Sequence, residues 1–234
     1  MELPAGAPLK EKFRAEIKKL REMTFKKKME YIWDYYKFPI IGICAGLILV
    51  GSFINTRFIN PPPESALFIA WSTGFTTDEQ IDSLKAVLDE QIVVKGENKE
   101  VFISMFFDTE FNPFNIQRLM AMLAVGEIDL FVVNLPLMEE YAAQEFIQPL
   151  DNILAEIKKR DPMIYAHIEE NILYALFKSA DGSITERAMG INVGDSPLLA
   201  KLGFYEQELI ISISITIGNP ENSALCLITL FENG

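Results

Sequence analysis

Seven side chains lie where short apolar runs of this 234-residue chain give way to polar sequence: Trp71, Ser72, Thr73 and Phe75, then Phe107 and Asp108, then Asn134. An indole ring beside hydroxyl, carboxylate and amide groups suits a sugar or a peptide, giving a stacking face and hydrogen-bonding groups. The same residue types also serve structure. Ser72, Thr73 and Thr77 are helix-capping residues, and Trp71 can pack inward. Both readings stay open on the sequence.

Other chemistry has less support. The chain carries no G-x-S-x-G and no P-loop signature. Its single histidine, His167, sits in 164-IYAHIEENI-172 beside acids on an expected helix, where a surface or core-edge role outweighs that of a general base. Glu139-Glu140 and Glu169-Glu170 read as solvated helix faces. One His with two Cys cannot assemble a zinc site, and no EF-hand spacing occurs. The expectation is a non-enzymatic protein with no metal and no cofactor.

A binding edge of this kind needs strands to present it. Residues 66–72, 101–107 and 129–134 are short apolar runs of strand length. Between and after them come helical patterns: Ile81, Leu84, Leu88 and Ile92, then Ile116, Leu119, Met120 and Leu123, then 136–146 with Pro136 in the first turn. Strands alternating with helices predict an α/β fold with a small, mostly parallel sheet. The seven side chains then fall at the carboxyl ends of its strands, where open α/β sheets hold ligands. The second half predicts a helix near 151–160 and a hairpin of 172–179 and 184–193 around Asp181-Gly182. A short helix at 196–203 follows. In 209-LIISISITI-217, isoleucines alternate with Ser212, Ser214 and Thr216, which predicts a half-buried antiparallel or edge strand. Asn219-Pro220 opens a last helix that runs through Phe231.

Ahead of this domain the composition changes. Residues 1–37 hold ten Lys/Arg and six Asp/Glu, and residues 38–234 hold the other 11 and 27. The net charge of −12 argues against nucleic acid as a partner. The basic head and acidic body are separated by 38-FPIIGICAGLILVGSFI-54, which is uncharged. With its flanks this segment, 38–59, is expected to cross the bilayer once, anchored through positions such as Phe38, Gly42, Gly46 and Phe53. Gly42 and Gly46 form a GxxxG that lets helices approach closely. Seven Lys/Arg lie in residues 18–37 and only Arg57 in 55–74, so the positive-inside rule puts the N-terminus in the cytoplasm. The basic head is too long for an ordinary cleaved signal, and Ile43 occupies the position where a lipoprotein site carries a small residue. Leu9, Phe13, Ile17 and Leu20, and then Phe25, Met29, Ile32 and Tyr36 after Thr24, predict two short amphipathic helices in 1–37. These suit either the inner leaflet or a partner. The stretch 24-TFKKKMEYIWDYYKFPIIGI-43 resembles the start of single spans in Gram-positive bacterial proteins. A proline spacer, 60–65, leads to the outer domain, 66–234. Cys44 and Cys226 are not expected to pair.

The succession strand, helix, strand, helix, 126-GEIDLFVVN-134, helix, QPLDNIL resembles the N-terminal lobe of type 2 extracellular solute-binding proteins of ABC transporters. Gly126, Asp129, Pro149, Leu150 and Asp151 match that family's glycine-x-x-Asp and Pro-Leu-Asp positions. The return segment 188–203 and closing helix 219–233 are similar as well. The family carries a second lobe between Pro-Leu-Asp and the return segment. Here only residues 152–187 are available, 36 positions, too few for a domain. The resemblance therefore implies one lobe without its clamp. The expected function is a membrane-anchored recognition or assembly module that contacts a transporter or other envelope protein. The alternative is a receptor for a small solute, a sugar or peptide. A hydrolase is a distant third.

Overall fold

A computed structural model describes residues 17–18, 20–21, 23–74, 76–106, 113–178 and 182–232. The chain divides into two compact units, residues 1–62 and 63–234.

In the first unit the second predicted amphipathic pattern and the apolar span form one element, α1 (Phe25–Ile54). Pro39 lies inside it, and removes one backbone donor without ending the helix. Thr24 takes the extended N-cap conformation but its side chain makes no capping bond. A π-helical turn, Asn55–Ile59, follows, closed by the Asn60 N–H donating to the Asn55 carbonyl at 2.7 Å. Residues Tyr36–Ile59, 24 in all, contain an 18-residue stretch of mean hydropathy 2.1 and are long and apolar enough to cross a membrane. Phe38, Gly42 and Phe53 are exposed along this segment, as an apolar surface without protein cover would be. Leu9 and Phe13 lie outside the described residues.

The second unit is an α/β domain built in the order β1 (Glu64–Trp71), α2 (Asp78–Ile92), β2 (Lys99–Met105), α3 (Pro113–Val125), β3 (Leu130–Val133), α4 (Leu135–Ala143), β4 (Ile147–Gln148), α5 (Asp151–Arg160), α6 (Pro162–Glu169), β5 (Ile172–Lys178), β6 (Ile184–Asn192), α7 (Pro197–Lys201), β7 (Ile210–Ser214) and α8 (Pro220–Phe231). One seven-stranded sheet runs β2-β1-β3-β7-β6-β5, with β4 beside β7. β1 pairs parallel with β2 and β3, while β7, β6 and β5 add antiparallel.

Both faces of the sheet are covered. On one, Leu67, Ile69 and Trp71 of β1 meet Leu84 and Leu88 of α2, Ile157 of α5 and Leu227 of α8. On the other, Phe131 and Val133 of β3 meet Leu119 and Leu123 of α3 and Met138 of α4. Burial on both faces accounts for the continuously apolar strands. It also corrects the expectation for residues 209–217. β7 is antiparallel as expected, but it lies inside the sheet, and Ser212 and Ser214 are fully buried. Alternation normally marks a half-exposed strand. Here the serine side is roofed by α4, with Met138 close to Gly190 of β6.

Gly126 adopts φ +72° just after α3. Its N–H donates to Leu123 O at 3.1 Å and the Glu127 N–H to Met122 O at 3.0 Å, the paired bonds that close a helix through a left-handed glycine. Pro149-Leu150-Asp151 turns the chain from β4 into α5. The Leu150 N–H donates to Ala188 O at 2.9 Å and the Asp151 carboxylate pairs with Arg187, so this turn is tied to β6. Residues 152–187 supply most of α5, then α6, β5 and the start of β6, all belonging to the one domain. Gly182, at φ +84°, stands in the β5–β6 turn as expected; Asp181 lies outside the described residues.

Candidate functional site

The strand order places a switch point between β1 and β3. The chain leaves β1 toward α2, which packs on one face, and leaves β3 into α4, which packs on the other. The two exits diverge, and the carboxyl ends of β1 and β3 flank a crevice, the general place for a ligand on such a sheet.

Trp71 does not offer a stacking face there. It is 2% exposed, its ring lies 5.5 Å from that of Phe204, and its indole N–H donates to Thr73 O at 2.6 Å. The strand alternation that carries Leu67 and Ile69 inward carries Trp71 with them. Ser72 continues the sheet: its N–H donates to Val132 O at 2.8 Å. Its hydroxyl oxygen is buried with no hydrogen-bond partner among the described residues and borders a crevice of about 60 Å³ with Phe106, Asn115, Ile116, Leu119, Leu137 and Tyr141. Such a space holds a few water molecules. Thr73 is half-buried. Asn134 caps α4, its side-chain oxygen accepting the Leu137 N–H at 3.1 Å. Thr77 and Gln80 form a reciprocal capping box at the start of α2. Phe75, Phe107 and Asp108 lie outside the described residues.

The loop from α7 to β7 closes over the same edge. Gln80 Nε2 donates to Gly203 O at 2.6 Å, and Glu208 accepts the Leu135 N–H at 2.7 Å. Nothing in the strand pattern marked Glu208, because its partner is 73 residues away.

The sequence reading also missed the outer surface of α3. Ile116, Leu119, Met120 and Leu123 marked the helix by their spacing, a pattern that fits one common face. Of these only Leu119 and Leu123 are buried, and Ile116 and Met120 face outward. With Phe114 (76% exposed) and Val125 (69% exposed) they give α3 a largely apolar outer surface, interrupted by Gln117 and by its only charge, Arg118. Ordinary surface helices are polar outside. The signal was readable as the lack of acids and lysines in 113–125.

His167 borders a separate open pocket of about 390 Å³ lined by Asp161, Met163, Ile164, Pro197, Phe231 and Glu232. The imidazole lies edge-on to Phe231 at 5.3 Å and 3.7 Å from the Asp195 carboxylate, and among the described residues no hydroxyl or thiol lines the pocket. At the opposite edge of the sheet, a pocket of about 380 Å³ lies beside Asp129, Phe68 and Phe102. Among the described residues no group of three or more His, Cys, Asp or Glu is arranged to hold a metal.

No protein-family model and no curated protein sequence matches this chain.

Proposed function

We propose that the chain is a single-pass membrane protein, N-terminus in the cytoplasm, whose outer α/β domain resembles one lobe of a solute-binding protein and works as a recognition or assembly module for a transporter or other envelope protein. The observation that carries this reading is the outward face of α3. Exposed apolar surface of this kind favours contact with another protein. The lack of a second lobe in residues 63–234 argues in the same direction, because a closing clamp needs two.

A photo-crosslinking residue at Met120 tests it in intact cells. The expected result is capture of one stoichiometric membrane partner, lost when Ile116→Asp is added. Equal capture from a control position at the exposed Met163 would overturn the reading. Protease added outside intact cells should digest residues 65–234 and spare the N-terminus; loss of the N-terminus instead would reverse the topology.

The second reading, a solute receptor, rests on the unpartnered Ser72 hydroxyl at the switch point. A receptor is stabilised by its ligand in a saturable way. A sugar and peptide panel that leaves the thermal midpoint unmoved would remove it.

A further inference from the structure

The two edges of the sheet differ in how they are defended. At β2, Lys99 pairs with Glu97 at 3.0 Å, Glu100 with Lys85 at 2.8 Å, and Arg118 donates to Ser104 at 2.9 Å. Charged groups of this kind discourage strand addition. At the other edge, β5 reads Ile-Leu-Tyr-Ala-Leu-Phe-Lys, with one charge at its end and no proline. Among the described residues it is hydrogen-bonded to β6 alone, and the irregularity in that pairing is taken up by β6, between Ala188 and Gly190. Tyr174 is 58% exposed and Leu176 67%, on the same face as the exposed Ile184 opposite Lys178.

We propose that β5 pairs antiparallel with β5 of a second copy of this chain, about a two-fold axis at Ala175, so that two seven-stranded sheets become one. The occupant follows from the self-complementarity of the strand. About Ala175, Tyr174 meets Leu176 of the second copy and Leu173 meets its Phe177, an aromatic–aliphatic pair on each face of the sheet. Ile172 lies against the aliphatic stem of Lys178, and no like charges oppose. Cross-strand pairs of this kind are the stabilising unit of a sheet, and a two-fold axis repeats each one. Leu173, Ala175 and Phe177 already pack on the α4 side of the domain, so that face of the strand is held in shape before pairing.

The test is the oligomeric mass of the full chain in detergent, with Cys44→Ser to silence the exposed thiol. Wild type should be a dimer. Tyr174→Lys with Leu176→Lys sets lysine opposite lysine and should weaken the dimer at least about tenfold. Tyr174→Glu with Leu176→Lys sets opposite charges in the same register and should restore it. A monomeric wild type overturns the proposal, even one whose β5 accepts a strand from another protein. A dimer that ignores the double-lysine change also overturns it, since its contact then lies elsewhere, as in the Gly42–Gly46 face. If the double-lysine chain loses its circular-dichroism signature, mixing a Tyr174→Cys chain with a Leu176→Cys chain decides. Mixed disulfide should exceed that of either alone, and no excess sinks the idea.

Discussion

The Asp129 carboxylate accepts the backbone N–H of Asn219, 90 residues away, at 2.9 Å. The same oxygen accepts the Gly218 N–H at 2.9 Å, and the second oxygen accepts the Phe68 N–H of β1 at 2.8 Å. Asn219 is the N-cap of α8 yet makes no side-chain capping bond, so Asp129 supplies the negative group that a helix start favours. One buried acid thus joins β1, β3 and the closing helix.

Removing it should unfasten all three. Asp129→Ala leaves three part-buried backbone donors unpaired and is expected to cost about 3 kcal/mol in denaturant unfolding. Asp129→Asn keeps one acceptor oxygen and should cost less. A loss below about 1 kcal/mol for the alanine variant would contradict the clamp.

Gly194 has no room for a side chain. A Cβ there would overlap the Gln207 carbonyl, which is backbone and cannot swing away. Gly194→Ala is expected to destabilise by about 1–3 kcal/mol and to loosen the loop from α7 to β7. Hydrogen exchange across residues 203–209 is the direct measurement; unchanged protection would refute it.

Cys226 lies in the core of α8, and burial pushes its thiol up to about 12. The reactive form is the thiolate. In a Cys44→Ser background, an alkylating reagent at pH 8 should therefore label Cys226 only at the unfolding rate. Labelling as fast as a free peptide thiol would show that the helix is not seated.

Two ion-paired groups, Glu156 and Lys85, give opposite pH dependences. The hydrogen bond from Arg160 holds Glu156 below its ordinary range. Its contribution is present above the unfolded value and is lost as pH falls through the lowered folded one. Burial alone would lower Lys85, but its bonds to Glu100 and Asp89 prevail and raise it above 10.5. That contribution is present below 10.5 and is lost as pH rises through the folded value. Thermal midpoints of Glu156→Gln should converge on wild type in acid, and those of Lys85→Met in alkali. Convergence in the reverse order would be inconsistent with both pairs.

Local periodicity carried the α/β class, the helix positions and the 172–193 hairpin, because each depends on residues a few places apart. Helix-capping was legible in part: Thr77 caps the helix it precedes, whereas Asn134, read as a ligand-edge residue, turns out to cap α4. The candidate site was legible only as a choice. Whether Trp71 stacks on a ligand or on Phe204 depends on a residue 133 positions later, and the fold assigns it to the core. Ile116 and Met120 fit a buried stripe by spacing, but Leu119, Met122 and Leu123 are the residues of α3 that fill the contact with the sheet.

The amino-acid sequence by itself determined one apolar segment able to span a bilayer, a basic head, an acidic domain and its alternating elements. These follow from composition and from periods of two and 3.6 residues. The tertiary structure alone decided that β7 is internal with buried serines and that Asp129 binds the start of α8. It also decided that residues 152–187 extend the first sheet and that β5 is left as an open edge. Each of these is a pairing between segments far apart in the chain, and neighbours in sequence hold no record of which distant surface will cover them.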